Sequence, residues 1–490
     1  MGVMRFIIPP DRITEDMAQQ AYLSGYDRIP WRARIRLSPG ELSLERGTSE
    51  SGTLQIPWLV DGHGPMVIST GTLMEGPEPY YLPLELARGK ISQVRNQLSD
   101  WQMAGLLVRR EVHEKVAEAV HHMTVAAVAE RGSAESNASA EKALRVAVDA
   151  ASMLAGCYAE QALAARRRAT PKLPTLLAGN IGSSRLDNHV SKQFLHAFNA
   201  ACVPMTWREI ETSEENRYWD TSDQQIDWCR TNLLQVCGGP LLLFDQRAIP
   251  DWIALYEDDF ESLLTFATEF VQAVVVRYRN DVDLWVCAGR VNTTEVLSLT
   301  EEERIKIVAQ AIELTQAIDP ETPVVISVDQ PWAEYLGQRD ADFPPLHFAD
   351  ALLRADLGLA GVMLEMNIGY YPGGTGPRDA LEFSRLLDYW SALQVPLYIS
   401  LTLPSAITAD PLAQRQVRVP PGDWSPQGQQ AWIDRFLPLI LAKPSVQGVL
   451  WNQLRDSDPH DFPHGGLFDL RRHAKPALRQ IAAVRQTYLR

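Results

Sequence analysis

Beyond Pro171 the chain breaks into short apolar runs separated by helical patterns, and the number of those runs limits the fold more than any other feature. Eight of them stand out, at 176–181, 203–207, 240–245, 283–288, 323–329, 361–367, 396–402 and 448–453. Helical periodicity fills the intervals, for example at 260–278 and 301–318. A strand buried on both faces reads as a near-continuous hydrophobic run, and strands alternating with helices imply a parallel sheet. Eight β-then-α units in about 320 residues match the size of a (β/α)8 TIM barrel, whose ligand chemistry sits at the C-terminal ends of the strands. The competing doubly wound sheet lacks a Gly-x-Gly-x-x-Gly turn after a first strand.

The sequence ahead of the barrel divides in two. Residues 1–82 alternate with period two at 32–37 and 41–46, and further short strand-like runs follow at 52–56 and 65–70, which predicts a small antiparallel β-sandwich. Pro77, Pro79 and Pro83 punctuate the chain, after which residues 83–170 become helical, with two Ala-rich helices predicted at 111–129 and 140–168. His113, His121 and His122 lack the spacing of a metal-binding helix face, and the run Arg166-Arg167-Arg168 reads as a solvated helix end favoured by the dipole.

Composition narrows the function classes. A net charge of −15 over 490 residues, without a dense Lys/Arg stripe, argues against a nucleic-acid partner. No apolar run approaches the length of a membrane span, and the N-terminal apolar run is too short for the core of a signal peptide, so the expected location is cytoplasmic. Five cysteines, at 157, 202, 229, 237 and 287, form an odd set without metal-knuckle spacing and are expected to be free thiols. Neither a metal nor a cofactor is expected. Self-association into a homo-oligomer stays open.

The barrel region resembles glycoside hydrolase family ten, the retaining β-1,4-xylanases. Phe198-Asn199 followed by Met205-Thr206-Trp207 looks like that family's second strand, and Tyr218-Trp219 with Asp223 and Trp228 like its next helix. Pro240 to Phe244 with Pro250-Asp251-Trp252 resembles the third strand and its loop, and Arg277-Tyr278 before Asp283-Leu284-Trp285 the approach to the fourth. Gly448-Val449-Leu450-Trp451, Asp456, Gly466 to Asp469 and Lys475-Pro476 resemble the eighth strand and closing helix. The resemblance implies a carbohydrate ligand and hydrolysis by two carboxylates about 5 Å apart.

Both carboxylates are missing where the resemblance puts them. The acid/base position on strand four aligns with Arg290, which cannot release a proton near neutral pH, and the nucleophile position on strand seven aligns with Leu401. Glu295, five residues past Arg290, is the nearest glutamate on one side, and no acidic residue follows Leu401 before Asp410 on the other. The remaining acidic candidates near strand ends are Asp245, Asp329, Glu365 and Asp456. Glu365 and Asn367 share one face of strand six, and Asp329 on the neighbouring strand five is the natural second member of a relocated catalytic pair with Glu365. Arg290 either holds an anionic group of the ligand or neutralises Glu365. Trp207, Trp252, Trp332, Tyr370, Tyr371 and Trp451, at or beyond strand ends, are the candidate sugar-stacking surfaces, against the plainer role of capping the barrel. Gly373-Gly374-Thr375-Gly376 reads as a loop over the site rather than a phosphate cradle, because no Lys-Ser/Thr follows.

Three readings follow from these residues. The chain is a hydrolase-derived barrel that handles a β-linked glycan without the standard reaction, or an active hydrolase with carboxylates relocated to Glu365 and Asp329, or a non-catalytic scaffold. The shape of the strand-end face discriminates them: a long open cleft favours glycan handling, and a mouth plugged by the loop 370–377 favours the scaffold.

Overall fold

The computed structural model describes residues 2–490 apart from 295, 340–342, 416, 421 and 423, so Glu295 lies outside the described residues. Eight parallel strands close into a barrel: β1 Leu176–Asn180, β2 Ala200–Val203, β3 Gln235–Gly238, β4 Leu284–Gly289, β5 Val324–Asp329, β6 Leu359–Asn367, β7 Leu397–Thr402 and β8 Val446–Trp451. Each pairs with its neighbour, β8 pairs back onto β1, and β3 pairs onto β4, so no edge is left open. The sequence predicts β1 and β4 to β8 closely. The second and third strands begin earlier than expected. The apolar residues at 203–207 run past the end of β2 into a buried turn and a short helix, and those at 240–245 follow β3, with Leu242–Leu243 forming a further short strand parallel to β4. Met205, Trp207, Leu241 and Phe244 pack into the barrel-and-helix core.

Side-chain alternation sorts the barrel into two cores. Val324, Ile326 and Val328 on β5, Val362, Leu364 and Met366 on β6, and Ile399 and Leu401 on β7 pack outward against the helices. Val325, Met363 and Tyr398 fill the lumen with Ala178, Cys202 and Leu284. The interior is therefore packed, as in other barrels of this kind. Continuing the lumen-facing rows upward gives Ser327 and Asp329, Glu365 and Asn367, and Ser400 and Thr402, in register across three strands. Leu401 is thus displaced from the expected position: it faces the helix layer. The lumen positions around it are a serine and a threonine.

Two four-stranded, largely antiparallel sheets form the N-terminal β module. One contains Gly2–Ile7, Arg34–Ser38, Glu41–Arg46 and Tyr80–Tyr81, and the other Tyr22–Ser24, Pro30–Trp31, Thr53–Val60 and Gly64–Ser69. Their inner faces share a core that includes Phe6, Leu44, Ile56 and Trp58 and extends into the helices Leu82–Met103 and Ala134–Ala169. The latter helix has 36 residues, about 54 Å at 1.5 Å per residue. Half of its buried residues are alanine, which lets it lie close to its neighbours. Arg166 near its C-terminus is not simply solvated as expected: its guanidinium donates to the carbonyls of Leu441 (2.5 Å) and Lys443 (2.9 Å), closing the end of helix Pro426–Ala442. All five cysteines are buried and unpaired. Among the described residues no helix is long and apolar enough to cross a membrane.

Candidate functional site

The C-terminal mouth of the barrel is occupied by an ion-pair network centred on Arg290. This residue follows β4 with φ 59°, a left-handed conformation that a long side chain rarely adopts, and it is 3% exposed. The strain is held by its contacts. Arg290 Nη2 donates to Glu365 Oε1 at 2.7 Å, while Nη1 reaches Asp245 Oδ2 at 3.0 Å and Asp461 Oδ2 at 2.8 Å. Arg247 forks onto both Asp245 oxygens (3.0 Å each) and reaches Asp461 Oδ1 at 2.9 Å, and Arg415 lies 3.3 Å from Asp245 Oδ2. Asn367 Nδ2 donates to Glu365 Oε1 at 2.9 Å, and Asn452 Nδ2 lies 3.4 Å from the same oxygen. Phe462 lies against the Arg290 and Arg415 guanidiniums, 5.8 and 5.2 Å from its ring centre.

Three guanidiniums thus face three carboxylates, of which Arg290, Glu365 and Asp245 are buried and Arg247, Arg415 and Asp461 partly exposed. Burial alone would raise the Asp245 pKa, but the hydrogen bonds from Arg247 and the charge of Arg290 outweigh it and hold this carboxyl well below its usual range. Asp461 is likewise held low by Arg290 and Arg247 against the effect of burial. Asp329 behaves oppositely. It has no arginine within hydrogen-bond reach; burial, reinforced by the charge of Glu365, pushes it up to about 7, against the opposing pull of Arg415 and Arg290. Its carboxylate accepts from the backbone N–H of Gln330 (2.9 Å) and from Thr293 Oγ1 (3.3 Å).

Beside this network lies a cavity of about 230 Å³. Glu365, Arg290, Asp245, Arg247 and Glu209 line it, and Asn180, Ser183, Gln414, Asn452, Gln453 and Arg455 supply further polar groups. Burial pushes the Glu209 carboxyl up, against a hydrogen bond from Ser183. Among the described residues its aromatic side chains are Phe462 and His460. His460 ties two loops together, with Nε2 at 3.0 Å from Asp410 Oδ2 and Nδ1 at 2.7 Å from the Asp458 carbonyl.

Of the residues expected to form a site, Asp245, Arg290, Glu365 and Asn367 come together. Asp329 is adjacent in register to Glu365 but is 1% exposed and off the cavity wall. Asp456 is elsewhere, paired with Lys475 at 2.5 Å. The expected aromatic platform does not form at this mouth. Trp207 stacks on Phe270 behind the barrel wall and bonds Glu211, and Trp252 packs edge-on against it. Trp451 donates to the Gly465 carbonyl and Tyr370 to that of Pro463, each inside the core. Trp332 carries the Arg378 guanidinium on its ring, 4.3 Å from the centre, and faces a different cleft. These rings already have protein neighbours on the faces a sugar needs, so the plain capping role accounts for most of them. The loop 370–377 borders the mouth at one end, where the Tyr370 ring packs against Phe462 with 4.8 Å between centres, and meets the β module at the other, where Val67 N–H donates to the Pro377 carbonyl at 2.8 Å. Arg247, Arg415, Asp461, Asn452 and Phe462 were not anticipated. The Asp245-x-Arg247 spacing was the one local signal for them.

The fold and this mouth define the class of molecule: a (β/α)8 barrel whose strand-end site is centred on an arginine. No family model matches the sequence, and no curated protein does. Among solved structures, native xylanase 10B from Thermotoga maritima aligns at 17% identity over 65% of this chain and 97% of its own, with a TM-score of 0.50. The family-ten glycoside hydrolase of Paenibacillus barcinonensis aligns at 18% identity over 67% and 98%, with a TM-score of 0.49. The intracellular xylanase TsXylA of Thermoanaerobacterium saccharolyticum aligns at 16% over 64% and 95%, with a TM-score of 0.46. At these identities the likeness is one of fold, and it covers the share of the chain that the barrel occupies.

Proposed function

We propose that this chain is a non-hydrolysing barrel of glycoside-hydrolase fold that binds a short, polar saccharide unit at its mouth. One observation carries the reading: the Arg290 guanidinium is bonded at once to Glu365, Asp245 and Asp461. Double displacement needs one carboxyl protonated and one ionised on opposite sides of a glycosidic bond. Here Glu365, Asp245 and Asp461 on the cavity wall are committed to guanidiniums, and Glu209 is a wall carboxyl outside that network. The amides and hydroxyls around them match the hydroxyls of a sugar, and about 230 Å³ suits one or two rings rather than a polymer.

The relocated pair has one observation in its favour, the raised pKa of Asp329, which suits a general acid. Its burial weighs against that role, because an acid must come within hydrogen-bond reach of the bond it protonates. Reducing-sugar release from xylan and mixed-linkage β-glucan, with calorimetric titration of xylobiose and cellobiose, separates the readings. The expected outcome is no release by the wild type, and disaccharide binding that weakens in Arg290→Ala. Hydrolysis that disappears in Glu365→Gln sinks the non-hydrolytic reading, and silence across the binding panel sinks the saccharide ligand.

A further inference from the structure

A larger cleft, about 810 Å³, lies between the β module, helix Leu82–Met103 and the barrel, well apart from the mouth network. Its floor is one face of the sheet containing Tyr22–Ser24, Thr53–Val60 and Gly64–Ser69. Tyr22 is paired in register with Gln55, Gln55 with Ser69, and Ser24 with Thr53, so all five side chains lie on that face. Alternation sends Leu23, Leu54, Ile56 and Ile68 into the core beneath. Helix Leu82–Met103 does the same with its own period. Ser92, Gln93, Asn96, Gln97 and Asp100 line the cleft, while Leu86, Val94, Leu98 and Trp101 are buried behind. The barrel wall adds Trp332 and Tyr389. Tyr26, 99% exposed, stands at the rim.

Two features define what such a cleft takes. The charged groups on the barrel wall are paired with each other or with neighbours, Arg385 with Glu382 at 3.0 Å and Asp388 with Lys443 at 2.7 Å, and Arg28 of the β module lies over the Tyr389 ring, so most of the lining is neutral and polar. The side chains of Gln55, Asn96 and Gln97 make no hydrogen bond to any described residue. Each amide offers donors and an acceptor together, as a row of sugar hydroxyls does, and the exposed Tyr26 ring at the rim offers apolar surface for the C–H face of a pyranose. The walls are also fixed relative to one another. Gln93 bridges Ser69 of the floor and Glu382 of the barrel at 3.0 Å each, and the buried Lys90 is paired with Asp379. The cleft is thus preformed, and its volume falls within the range of established ligand sites.

We propose that this cleft is a second binding site, for a neutral oligosaccharide, and that building it is the role of the N-terminal module. The proposal does not depend on the reading of the barrel mouth. The test is calorimetric titration of the full chain with xylohexaose, cellohexaose and mannohexaose, and with hexagalacturonate as the charged comparison. The variants are Asn96→Ala with Gln97→Ala, and separately Gln55→Ala. Asn96 is exposed and Gln97 half-buried on a helix, where alanine is well tolerated, so circular dichroism is expected to show an intact fold. The expected result is binding of at least one neutral hexasaccharide, weakened about tenfold or more by the double substitution and still present in Arg247→Ala, which removes only what the mouth contributes. Absence of binding by all three neutral hexasaccharides overturns the proposal. So does binding that the cleft substitutions leave intact, or a preference for hexagalacturonate. A Gly-Ser dodecapeptide that binds in their place and is sensitive to the same substitutions assigns the cleft to peptide and equally overturns it. Loss through Arg247→Ala alone returns the ligand to the mouth.

Discussion

Replacing Arg290 with methionine tests the central electrostatic argument. Methionine fills much of the same volume without charge, so the change isolates the guanidinium. It leaves Glu365 unpaired, strips one partner from Asp245 and Asp461, and removes contacts of 2.7, 3.0 and 2.8 Å. Removing one member of a buried ion pair costs about 3–5 kcal/mol, because the other charge stays desolvated. Arg247 still compensates part of the charge on Asp245 and Asp461, so the lower end, about 3 kcal/mol, is expected at pH 8.

The pH dependence carries the sharper prediction. In the wild type, Asp245 and Asp461 have folded-state pKa values below their unfolded ones. Their contribution is present above about pH 4 and lost only as pH falls through the depressed values. Without Arg290 the desolvated carboxylates shift upward, and the sign reverses: protonation then relieves them, so stability falls as pH rises. Urea unfolding at pH 5 and pH 8, followed by both tryptophan fluorescence and circular dichroism, is expected to show a loss at pH 8 that shrinks markedly at pH 5. Arg290→Lys, which keeps the charge but not the fork, is expected to lie between. An equal loss at both pH values, or none, refutes the claim that the guanidinium neutralises these carboxylates.

Two further substitutions probe neighbouring features. Asp329 has a folded-state pKa of about 7, so its neutral form is favoured in the native state, and stability from this group is lost as pH rises from about 4 through 7. Asp329→Asn, which cannot ionise, is expected to gain over the wild type across that window and to level off above it, by up to roughly 4 kcal/mol for about three pKa units. A pH-independent difference in unfolding free energy contradicts this. Gly89 lies where helix Leu82–Met103 meets the β module, and a Cβ there would overlap the Ser69 carbonyl oxygen and the Thr70 carbonyl carbon. Gly89→Ala is therefore expected to cost about 1–3 kcal/mol despite alanine's better helix propensity, and an unchanged or raised urea midpoint refutes the close approach.

The barrel was legible because its strands are buried on both faces, and their continuous apolar runs survive any ambiguity about exact ends. The two misplaced strands show where that signal stops. Met205 and Leu241 are apolar because they pack beneath loops, and a short apolar run does not distinguish a buried loop from a strand. The pairing of Arg290 with Glu365 was foreseeable from two charges at the ends of β4 and β6. Asp461 and Arg415 were not, because they come from loops whose paths are fixed by tertiary packing, with Phe462 set between them and the barrel. The tryptophans misled for a related reason. An indole at a strand end satisfies equally a sugar and a neighbouring aromatic ring, and Phe270 decides the matter for Trp207 only in three dimensions. The β-module strands and helices showed their buried faces in sequence, but the polar faces turned toward each other across the cleft could be recognised only once the elements were placed.

The same arginine also sets the proton balance of the carboxyls bonded to it. A glycosidase separates two carboxyls electrostatically, raising one by desolvation and leaving the other ionised. A guanidinium placed among the carboxyls acts on all of them in one direction, favouring the ionised form, as the depressed values of Asp245 and Asp461 illustrate. Among the strand-end carboxyls Asp329 is the one pushed up to about 7, and it is sealed from the cavity; Glu209, on the cavity wall beyond β2, is raised by burial as well. On the proposed reading, proton affinity and access to ligand are divided among the strand-end carboxyls. Restoring a single glutamate at position 290 would therefore not suffice for hydrolysis: it would remove the counter-charge that Asp245, Asp461 and Glu365 share while adding a fourth carboxyl to the same buried space. Arg290→Glu is expected to destabilise the fold more than Arg290→Met at pH 8 and to release no reducing sugar, and the opposite result in either measurement places the barrier to catalysis elsewhere.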